Sequence, residues 1–236
     1  MKKILIVITS VILFNIACPL SFSYKIKSMG ITVAEANFTE DIKKNKIHLT
    51  TEAKSKAVFS IFKKVNNKYT TIIDKETYYP LFQKKILTGN RKYYNYFYQG
   101  SNKVLSEKGV LKFKEKYITN LFALFYFIKE NKPLHNFNIP SISCNTLWRI
   151  DVIYEGSKKI KFNNKKQDVI AYTLKFKAIE DFEKMKKRYK DMFLKEAYWN
   201  SSIIKLYIDK EKNILYKSIL ESFDPNLVLI LKDITN

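Results

Sequence analysis

A catalytic role would have to rest on few titratable side chains, because the common catalytic motifs are missing from this sequence. The chain has two histidines, His48 in a strand-like pattern and His135 in a proline-containing stretch. Nothing in the sequence predicts that the two meet in space. H-E-x-x-H, C-x-x-C, G-x-S-x-G and the phosphate-binding loop are all absent from the 236 residues. We therefore expect no metal ligand and no histidine-based catalysis.

Carboxylates occur in two spaced pairs, and each pair flanks a turn. Asp74 with Glu76 and Asp209 with Glu211 could serve as a general acid and base. Aspartates at turns more often accept hydrogen bonds from nearby backbone N–H groups. Cys144 is more typical of a buried or incidental thiol than of a nucleophile. We predict no catalytic residue and no cofactor, and a hydrolase acting on envelope polymers is the least favoured of three functional hypotheses.

A basic hairpin is the better candidate for a binding site. Lys84 and Lys85 approach Arg91 and Lys92 across a short Gly-containing loop, and tyrosines and phenylalanines follow. Basic residues interleaved with aromatic ones can bind anionic sugar–phosphate surfaces. The same alternation is also typical of a strand with one buried face.

The overall charge has two competing explanations. The chain carries 43 basic and 22 acidic residues, a formal net charge of +21. Such a balance favours an anionic partner such as a lipid or an acidic glycan. However, Arg91, Arg149 and Arg188 are the only arginines, and Lys, Asn, Ile, Phe and Tyr all have A/T-rich codons. A genome biased towards A and T would produce the same composition.

The first residues have the pattern of a secretory signal peptide. Lys2 and Lys3 precede an apolar run from Ile4 to Ala17, and Ser21-Phe22-Ser23 places two small residues two apart. We expect residues 1–23 to be removed, which exports residues 24–236 to the periplasm or the medium. Export argues against a nucleic-acid partner, and we expect no transmembrane span after cleavage.

A second interpretation of the same region involves Cys18. Ala17-Cys18 partly resembles the lipobox of bacterial lipoproteins, although Asn15 stands where an aliphatic residue is usual. The alternative to soluble export is therefore a lipid anchor through Cys18.

The segment Lys116–Asn131 predicts a central buried helix. Its apolar side chains surround the helix, and Leu121, Phe125 and Ile128 share one face. A helix that is apolar all round is buried in a core or a membrane, and this apolar run is too short to span a bilayer. We expect these three side chains to face a sheet and to contribute to a ligand site.

The remaining sequence alternates in the manner of antiparallel strands. Helical spacing recurs at Ala53–Lys64 and at Ile179–Ala197, where we predict a short helix and a helical insertion. Asn131–Ser143, with two prolines, reads as a long loop. Two strands, Leu147–Tyr154 and Lys159–Phe162, are expected on either side of Gly156. No Gly/Ser/Pro-rich linker divides the chain, so we expect one domain.

The order of these parts resembles the exported bacterial proteins of domain-of-unknown-function family 3108. The matching residues are Tyr24-Lys-Ile, Gly30-Ile31, Ala34-Glu-Ala36, Tyr69-Thr-Thr-Ile-Ile-Asp74 before Pro80, and Ile204-Lys-Leu-Tyr-Ile-Asp-Lys-Glu-Lys-Asn213. The resemblance implies a mainly β protein: a strongly curved antiparallel sheet, a half-barrel or open barrel, around the central helix. It implies no activity.

Three functional hypotheses follow. The first is a non-enzymatic envelope protein that binds a lipid or another amphiphilic or anionic ligand in the concave sheet. The second is a structural or assembly partner of an envelope protein complex, acting through sheet edges or the Ile179–Ala197 helix. The third is the hydrolase already mentioned.

Overall fold

The fold is a single antiparallel sheet wrapped around one helix. A computed structural model describes residues 19–56, 65–87, 92–100, 102–107, 109–143, 146–181, 202–221 and 226–235. Across these ranges the chain forms 14 strands and one α-helix, and the sheet does not close on itself. The predicted fold class, a mainly β chain with an open antiparallel sheet and a central helix, is confirmed.

The elements follow one another along the chain with few long connections. They are β1 (Leu20–Ser28), β2 (Ile31–Lys43), β3 (Lys46–Ser55), β4 (Asn66–Asp74), β5 (Pro80–Leu87), β6 (Lys92–Gln99), β7 (Lys103–Ser106), β8 (Gly109–Lys112), α1 (Leu121–Asn131), β9 (Phe137–Ser143), β10 (Thr146–Phe162), β11 (Lys165–Asp181), β12 (Ile203–Asp209), β13 (Leu215–Leu220) and β14 (Leu227–Thr235).

The sheet consists of two meanders joined at the chain ends. In the order β8-β7-β6-β5-β4-β3-β2-β1-β14-β13-β12-β11-β10-β9, nearly every strand pairs with its neighbour in sequence. The exception is the antiparallel pairing of β1 with β14. The two sheet edges, β8 and β9, are the strands that flank α1 in the sequence.

The sheet curls until its two edges approach each other. Tyr98 of β6 and Val104 of β7 pack in one cluster with Ile142 of β9 and Leu147 of β10. Strands from opposite ends of the sheet could share a cluster only if the sheet is strongly curved. The segment before α1 lies along this seam, where Thr119 forms an isolated parallel bridge with Ser141 of β9.

The helix begins later than the sequence predicted. Asn120 is its N-cap, and the Asn120 side chain accepts a hydrogen bond from the Ala123 N–H at 3.0 Å. Residues 116–120 are not helical because Tyr117 has a left-handed φ of 59° and Thr119 bonds to β9 instead. The described residues contain no helix with the length and hydropathy of a membrane span.

Most of α1 is buried against the concave face of the sheet, as predicted. Leu121, Leu124 and Ile128 pack in one core cluster with side chains of β4 and of β10 to β12, including Tyr69, Trp148, Leu174 and Leu206. The helix therefore fills much of the concave space and leaves cavities on two of its sides.

Two segments that were predicted to be helical begin as strands in the part that the structure describes. The first residues of Ala53–Lys64 belong to β3, where Ala53 pairs with Ala36 and Asn67 on its two sides. The first residues of Ile179–Ala197 belong to β11, which extends to Asp181. In both places ladder hydrogen bonds with neighbouring strands outweigh a helical spacing of apolar residues. Residues 57–64 and 182–201 lie outside the described residues, and so does the rest of each predicted helix.

Two loop predictions were also wrong. Phe137–Ser143 is an edge strand despite Pro140, because a proline is tolerated where its missing N–H would point away from the partner strand. Thr146–Phe162 is one continuous strand in which Gly156, with a φ of 82°, allows a bulge between Tyr154 and Ser157.

Candidate functional site

Helix α1 separates two spaces inside the curved sheet. On one side, Ala123, Leu124 and Phe127 line an open cleft of about 700 Å³, here called the outer cleft. On the other side, Phe122 and Phe125 line two smaller spaces of about 60 and 80 Å³, here called the inner cavities. The outer cleft falls within the range of about 300–1,000 Å³ that is usual for small-molecule sites.

The outer cleft lies along the seam between the sheet edges. Its walls come from the β4–β5 connection, the end of β6, the segment before α1, the helix itself, and the approach to β9. The lining residues are Thr77, Tyr78, Tyr79, Pro80, Leu81, Tyr98, Gly100, Tyr117, Thr119, Ala123, Leu124, Phe127, Pro133, His135, Phe137 and Ile139.

Aromatic rings in mutual contact form much of the cleft wall. Tyr78 and Phe127 meet edge to face with ring centroids 5.7 Å apart, and Phe127 meets Phe137 in the same way at 5.9 Å. Across the cleft, Tyr79 packs edge to face on Tyr98 at 6.1 Å. These edge-to-face geometries are favourable. They hold the rings in place and do not cover the ring faces that are exposed to the cleft.

Polar groups are few and are mostly engaged. The Tyr79 hydroxyl donates a hydrogen bond to the Gly100 carbonyl at 2.5 Å. Burial raises the pKa of Tyr79 to about 12, so this hydroxyl stays protonated at neutral pH. Asn120 donates to the Tyr98 hydroxyl at 3.3 Å. The cleft thus offers aromatic surface with a few neutral hydroxyl groups.

The described residues that line the outer cleft include no Asp, Glu, Lys or Arg. His135, which is exposed, is the one histidine among them. In a chain with a net charge of +21, an uncharged lining of this size is distinctive. Its chemistry suits the apolar part of a ligand.

Two tyrosines of the cleft hold unfavourable backbone conformations. Tyr78 has a φ of 57° and Tyr117 a φ of 59°. A bulky residue rarely adopts this left-handed region, and such outliers are often found at functional sites. Tyr117 is also 68% exposed, so its ring contributes little to the core. The strain at Tyr117 therefore positions a ring at the cleft rather than in the packed interior.

The inner cavities share four wall side chains. Phe38, Phe122, Phe125 and Leu215 line both of them. One cavity also reaches the buried Lys129, whose ammonium pairs with the Glu40 carboxylate and lies 3.1 Å from Glu130. Burial raises the pKa of the Glu40 carboxyl, and the adjacent Lys129 opposes that rise.

Aromatic rings around Lys129 offset part of the energetic cost of removing its ammonium from water. Its ammonium lies 5.2 Å from the Phe22 ring centroid and 4.8 Å from that of Tyr126. Cations over aromatic faces gain electrostatic attraction, more so when they are desolvated. Lys129 therefore links α1 to Phe22 of β1 and to Glu40 of β2.

The predicted basic hairpin is described only in part, and its two β5 lysines face opposite sides of the sheet. Lys84 and Lys85 alternate on β5, and Lys85 is only 2% exposed. Lys85 points inward, where it donates to the Ser143 hydroxyl at 3.5 Å and lies 5.9 Å from the Tyr96 ring centroid. Arg91 lies outside the described residues, and for Lys92 only the backbone in β6 is described.

The predicted helix residues fall on the inner side of α1. Leu121 lines one inner cavity and Phe125 lines both, while Ile128 is fully buried in the core. Sequence reasoning missed Tyr78 and Tyr117, the strained residues of the outer cleft. Tyr78 lies two residues before Pro80, just after a turn, and no side-chain periodicity marks either tyrosine.

The candidate acid–base residues serve the backbone instead. Asp74 accepts hydrogen bonds from the Thr77 N–H and hydroxyl, and Asp209 accepts from the Lys212 and Glu211 N–H groups. His48 lies in β3 and does not line the outer cleft, whereas His135 does. Among the described residues no group of three or more His, Cys, Asp and Glu could hold a metal ion.

The sequence model of one protein family matches most of the chain. The family is described as "Protein of unknown function (DUF3108)", and the match covers residues 23–223. No curated protein matches the chain.

Two solved structures are similar to this fold. A β-barrel-like protein of domain of unknown function DUF1849 from Brucella abortus has a TM-score of 0.56 at 9% identity, covering 92% of this chain and 96% of that one. This likeness supports the fold alone. A Bacteroides fragilis protein described as exported, with a YmcC-like fold, has a TM-score of 0.37 at 5% identity, covering 92% and 95%.

Proposed function

This chain belongs to the DUF3108 family of proteins of unknown function, and we propose that it is a non-enzymatic binder of an amphiphilic ligand of the cell envelope. The apolar part of the ligand, such as a lipid chain, enters the outer cleft. Its head group stays at the surface. The proposal places the protein outside the cytoplasm, in agreement with the signal-peptide pattern of its first residues.

One observation carries the proposal: a cleft of about 700 Å³ lined by aromatic and aliphatic side chains without a charged group. Ligand sites are typically concave and mostly apolar, with few polar groups that fix orientation. An exposed apolar surface of this kind would otherwise be a liability, because contiguous apolar patches promote association.

The location of the lysines refines the ligand chemistry. We expected the basic hairpin to contribute to a binding site, but Lys85 is buried and the cleft lining is neutral. An anionic head group would therefore meet the general positive charge of the surface rather than a dedicated lysine pair. The neutral cleft would supply selectivity for the chain of the ligand.

Native mass spectrometry with lipid extraction tests the proposal. The full chain, purified from a bacterial periplasm, is expected to carry an added mass that extracts into organic solvent. Leu81 lines the cleft and is half-buried, so Leu81→Trp should fill the space and remove that mass. Val110→Trp is the matched control, because Val110 is 52% exposed on β8 and does not line the cleft.

The two variants separate the outcomes. Loss of the extracted lipid in both would assign the loss to a general effect of the added ring and not to the cleft, and retention in Leu81→Trp would place the lipid elsewhere. A folded wild-type protein that carries no ligand and takes up none from lipid vesicles would contradict the proposal.

An assembly role is the second candidate, and an exposed sheet edge favours it. Strand β8 has only four residues, pairs with β7, and exposes Val110. A sheet edge can receive a strand from a partner chain. Capture of a stoichiometric envelope protein by the wild type, lost in Val110→Lys, would support this role, and equal capture by both would argue against the edge.

A further inference from the structure

The first strand begins upstream of the cleavage position that the sequence suggested. β1 covers Leu20–Ser28, whereas cleavage after Ser23 would remove Leu20 to Ser23. These residues pair on both sides. Leu20, Ser21, Phe22 and Ser23 lie opposite residues 40, 39, 38 and 37 of β2, and Ser21 to Ser23 lie opposite residues 235 to 233 of β14.

Phe22 is a core residue. Its side chain is 3% exposed and packs in a cluster with Tyr24, Tyr216 and Leu231. It also lines an inner cavity, and its ring lies 5.2 Å from the Lys129 ammonium. A signal peptide gains nothing from such packing, since its residues leave the protein.

The neighbouring serines are also paired specifically. The Ser21 and Thr39 hydroxyl oxygens are 3.2 Å apart, and Ser23 donates to the Asn37 side-chain oxygen at 2.9 Å. Together with Phe22, these side chains alternate between the two faces of the sheet as strand residues do.

Removal of Leu20 to Ser23 would shorten the central junction of the sheet, where β1 joins the two meanders. Tyr24–Ser28 would stay paired, but residues 37–40 of β2 and 233–235 of β14 would lose their partners in β1. Unpaired strand edges promote association with other chains. The pair of Lys129 and Glu40 would lose the ring that covers it on this side.

We infer that the signal peptide is cleaved N-terminal to Leu20, so that Leu20 to Ser23 remain in the mature domain. The reaction is the hydrolysis of one peptide bond, with water as the co-reactant. At the end of the apolar run Ile4 to Ala17, the Ala17–Cys18 bond has a small residue on its N-terminal side. Cleavage there would leave Cys18 and Pro19 ahead of β1.

Intact-mass measurement and N-terminal sequencing test this inference. The full chain, with a C-terminal affinity tag, is expressed in a bacterium and purified from the cell envelope. A mature N-terminus at or before Leu20 is the expected result. An added mass on Cys18 would support the same boundary and show lipid modification. An N-terminus at Ser21 or later, or an uncleaved chain, would overturn the inference.

A stability comparison provides a second, independent measurement. Two forms exported by the same unrelated signal peptide begin at Leu20 and at Tyr24. The shorter form is expected to unfold at a midpoint lower by about 10 °C or more, or to fail to accumulate. Equal midpoints would overturn the inference.

Point variants give the same test without truncation. Phe22→Ala in the longer form should reproduce most of the loss. Phe97→Ala, at a residue that is 47% exposed on β6, is the matched control and should leave the midpoint nearly unchanged.

Discussion

At the scale of the residue, two aspartates of the same predicted role differ in burial. Asp209 is 8% exposed and accepts hydrogen bonds from the Glu211 N–H at 2.8 Å and from the Tyr216 hydroxyl at 2.7 Å. Asp74 makes similar turn bonds where it meets solvent. In the sequence, each aspartate with its nearby glutamate was a candidate acid and base pair. In the structure, both aspartates accept hydrogen bonds from N–H groups two or three residues later, which is the pattern of a turn.

We predict a pH-dependent cost for Asp209→Ala. Burial tends to raise the pKa of this carboxyl, but hydrogen bonds from Lys212, Tyr216 and Glu211 outweigh it and the pKa ends below its usual value. A lowered folded-state pKa stabilises the fold above the unfolded value, and that contribution is lost as pH falls through the folded pKa. The variant should lose about 1–3 kcal/mol at neutral pH.

Urea denaturation between pH 3 and pH 8 measures this cost, which should shrink at the acid end. Asp74→Ala is the control and should lose less stability, because water can replace its exposed bonds. A cost for Asp209→Ala that stays constant over this pH range would contradict the ionic role of the carboxylate.

A second residue-scale prediction concerns Tyr117. A left-handed backbone costs a residue with a side chain roughly 1–2 kcal/mol, so Tyr117→Gly should keep or raise the free energy of unfolding. The same change removes a ring from the cleft and should weaken binding of an uncharged fluorescent probe such as N-phenyl-1-naphthylamine by about fivefold, an energy of about 1 kcal/mol. Unchanged probe affinity would show that the ring does not contact the ligand.

Two controls separate ring loss from strain relief. Tyr117→Phe keeps both the ring and the backbone strain, so it should bind the probe like the wild type. Met29→Gly relieves a φ of 51° at a residue that is 80% exposed in the β1–β2 turn. It should stabilise the protein without changing probe affinity.

At the scale of the element, side-chain periodicity predicted the strands well and the boundaries poorly. The all-apolar segment gave the existence and burial of α1, because such a helix has no solvent face. The start at Leu121 depends on the Asn120 cap and on the bond of Thr119 to β9, a contact distant in sequence. Likewise, Gly156 suggests a turn in the sequence. Only the pairing of β10 with β9 and β11 shows that the strand continues through it.

The N-cap yields an element-scale prediction. Asn120 is 1% exposed, caps α1, and donates to the Tyr98 hydroxyl. Asn120→Ala should lower the free energy of unfolding by about 1–2 kcal/mol, since the first turn of α1 loses its acceptor. Denaturant titration measures the loss. Asn120→Ser retains a capping oxygen and should lose less, whereas equal losses would assign the effect to Tyr98 instead.

At the scale of the whole molecule, the open curved sheet could be predicted from alternation and from the family resemblance, but the outer cleft could not. Its walls bring together residues from 77–81, 98–100 and 117–139, the last of which includes α1. No local pattern in the sequence marks these residues. The lysine-rich hairpin attracted attention because its charge is visible in sequence. The neutrality of the cleft becomes visible only once the sheet is curled.

The contrast between a neutral cleft and a basic surface predicts how salt acts on an anionic amphiphile such as dodecyl phosphate. At low salt both the wild type and Leu81→Trp should bind it, because surface charge contributes. At about 0.5 M salt, screening shortens the range of that attraction to a few ångströms, and only the wild type should retain binding through the chain. Calorimetric titration below the micelle concentration measures both, and equal retention by the two proteins would place the chain outside the cleft.

The pairing of β1 with β14 has a consequence for how the protein is made. Each meander can form from neighbouring segments as the polypeptide emerges, because most pairings are local in sequence. The junction joins Ser21 to Thr235 and needs nearly the whole chain, so we expect loop-closure entropy to make it the slow step. Until the last strand arrives, β1 has an unpaired edge, and we expect the incompletely folded chain to need protection from aggregation during that interval.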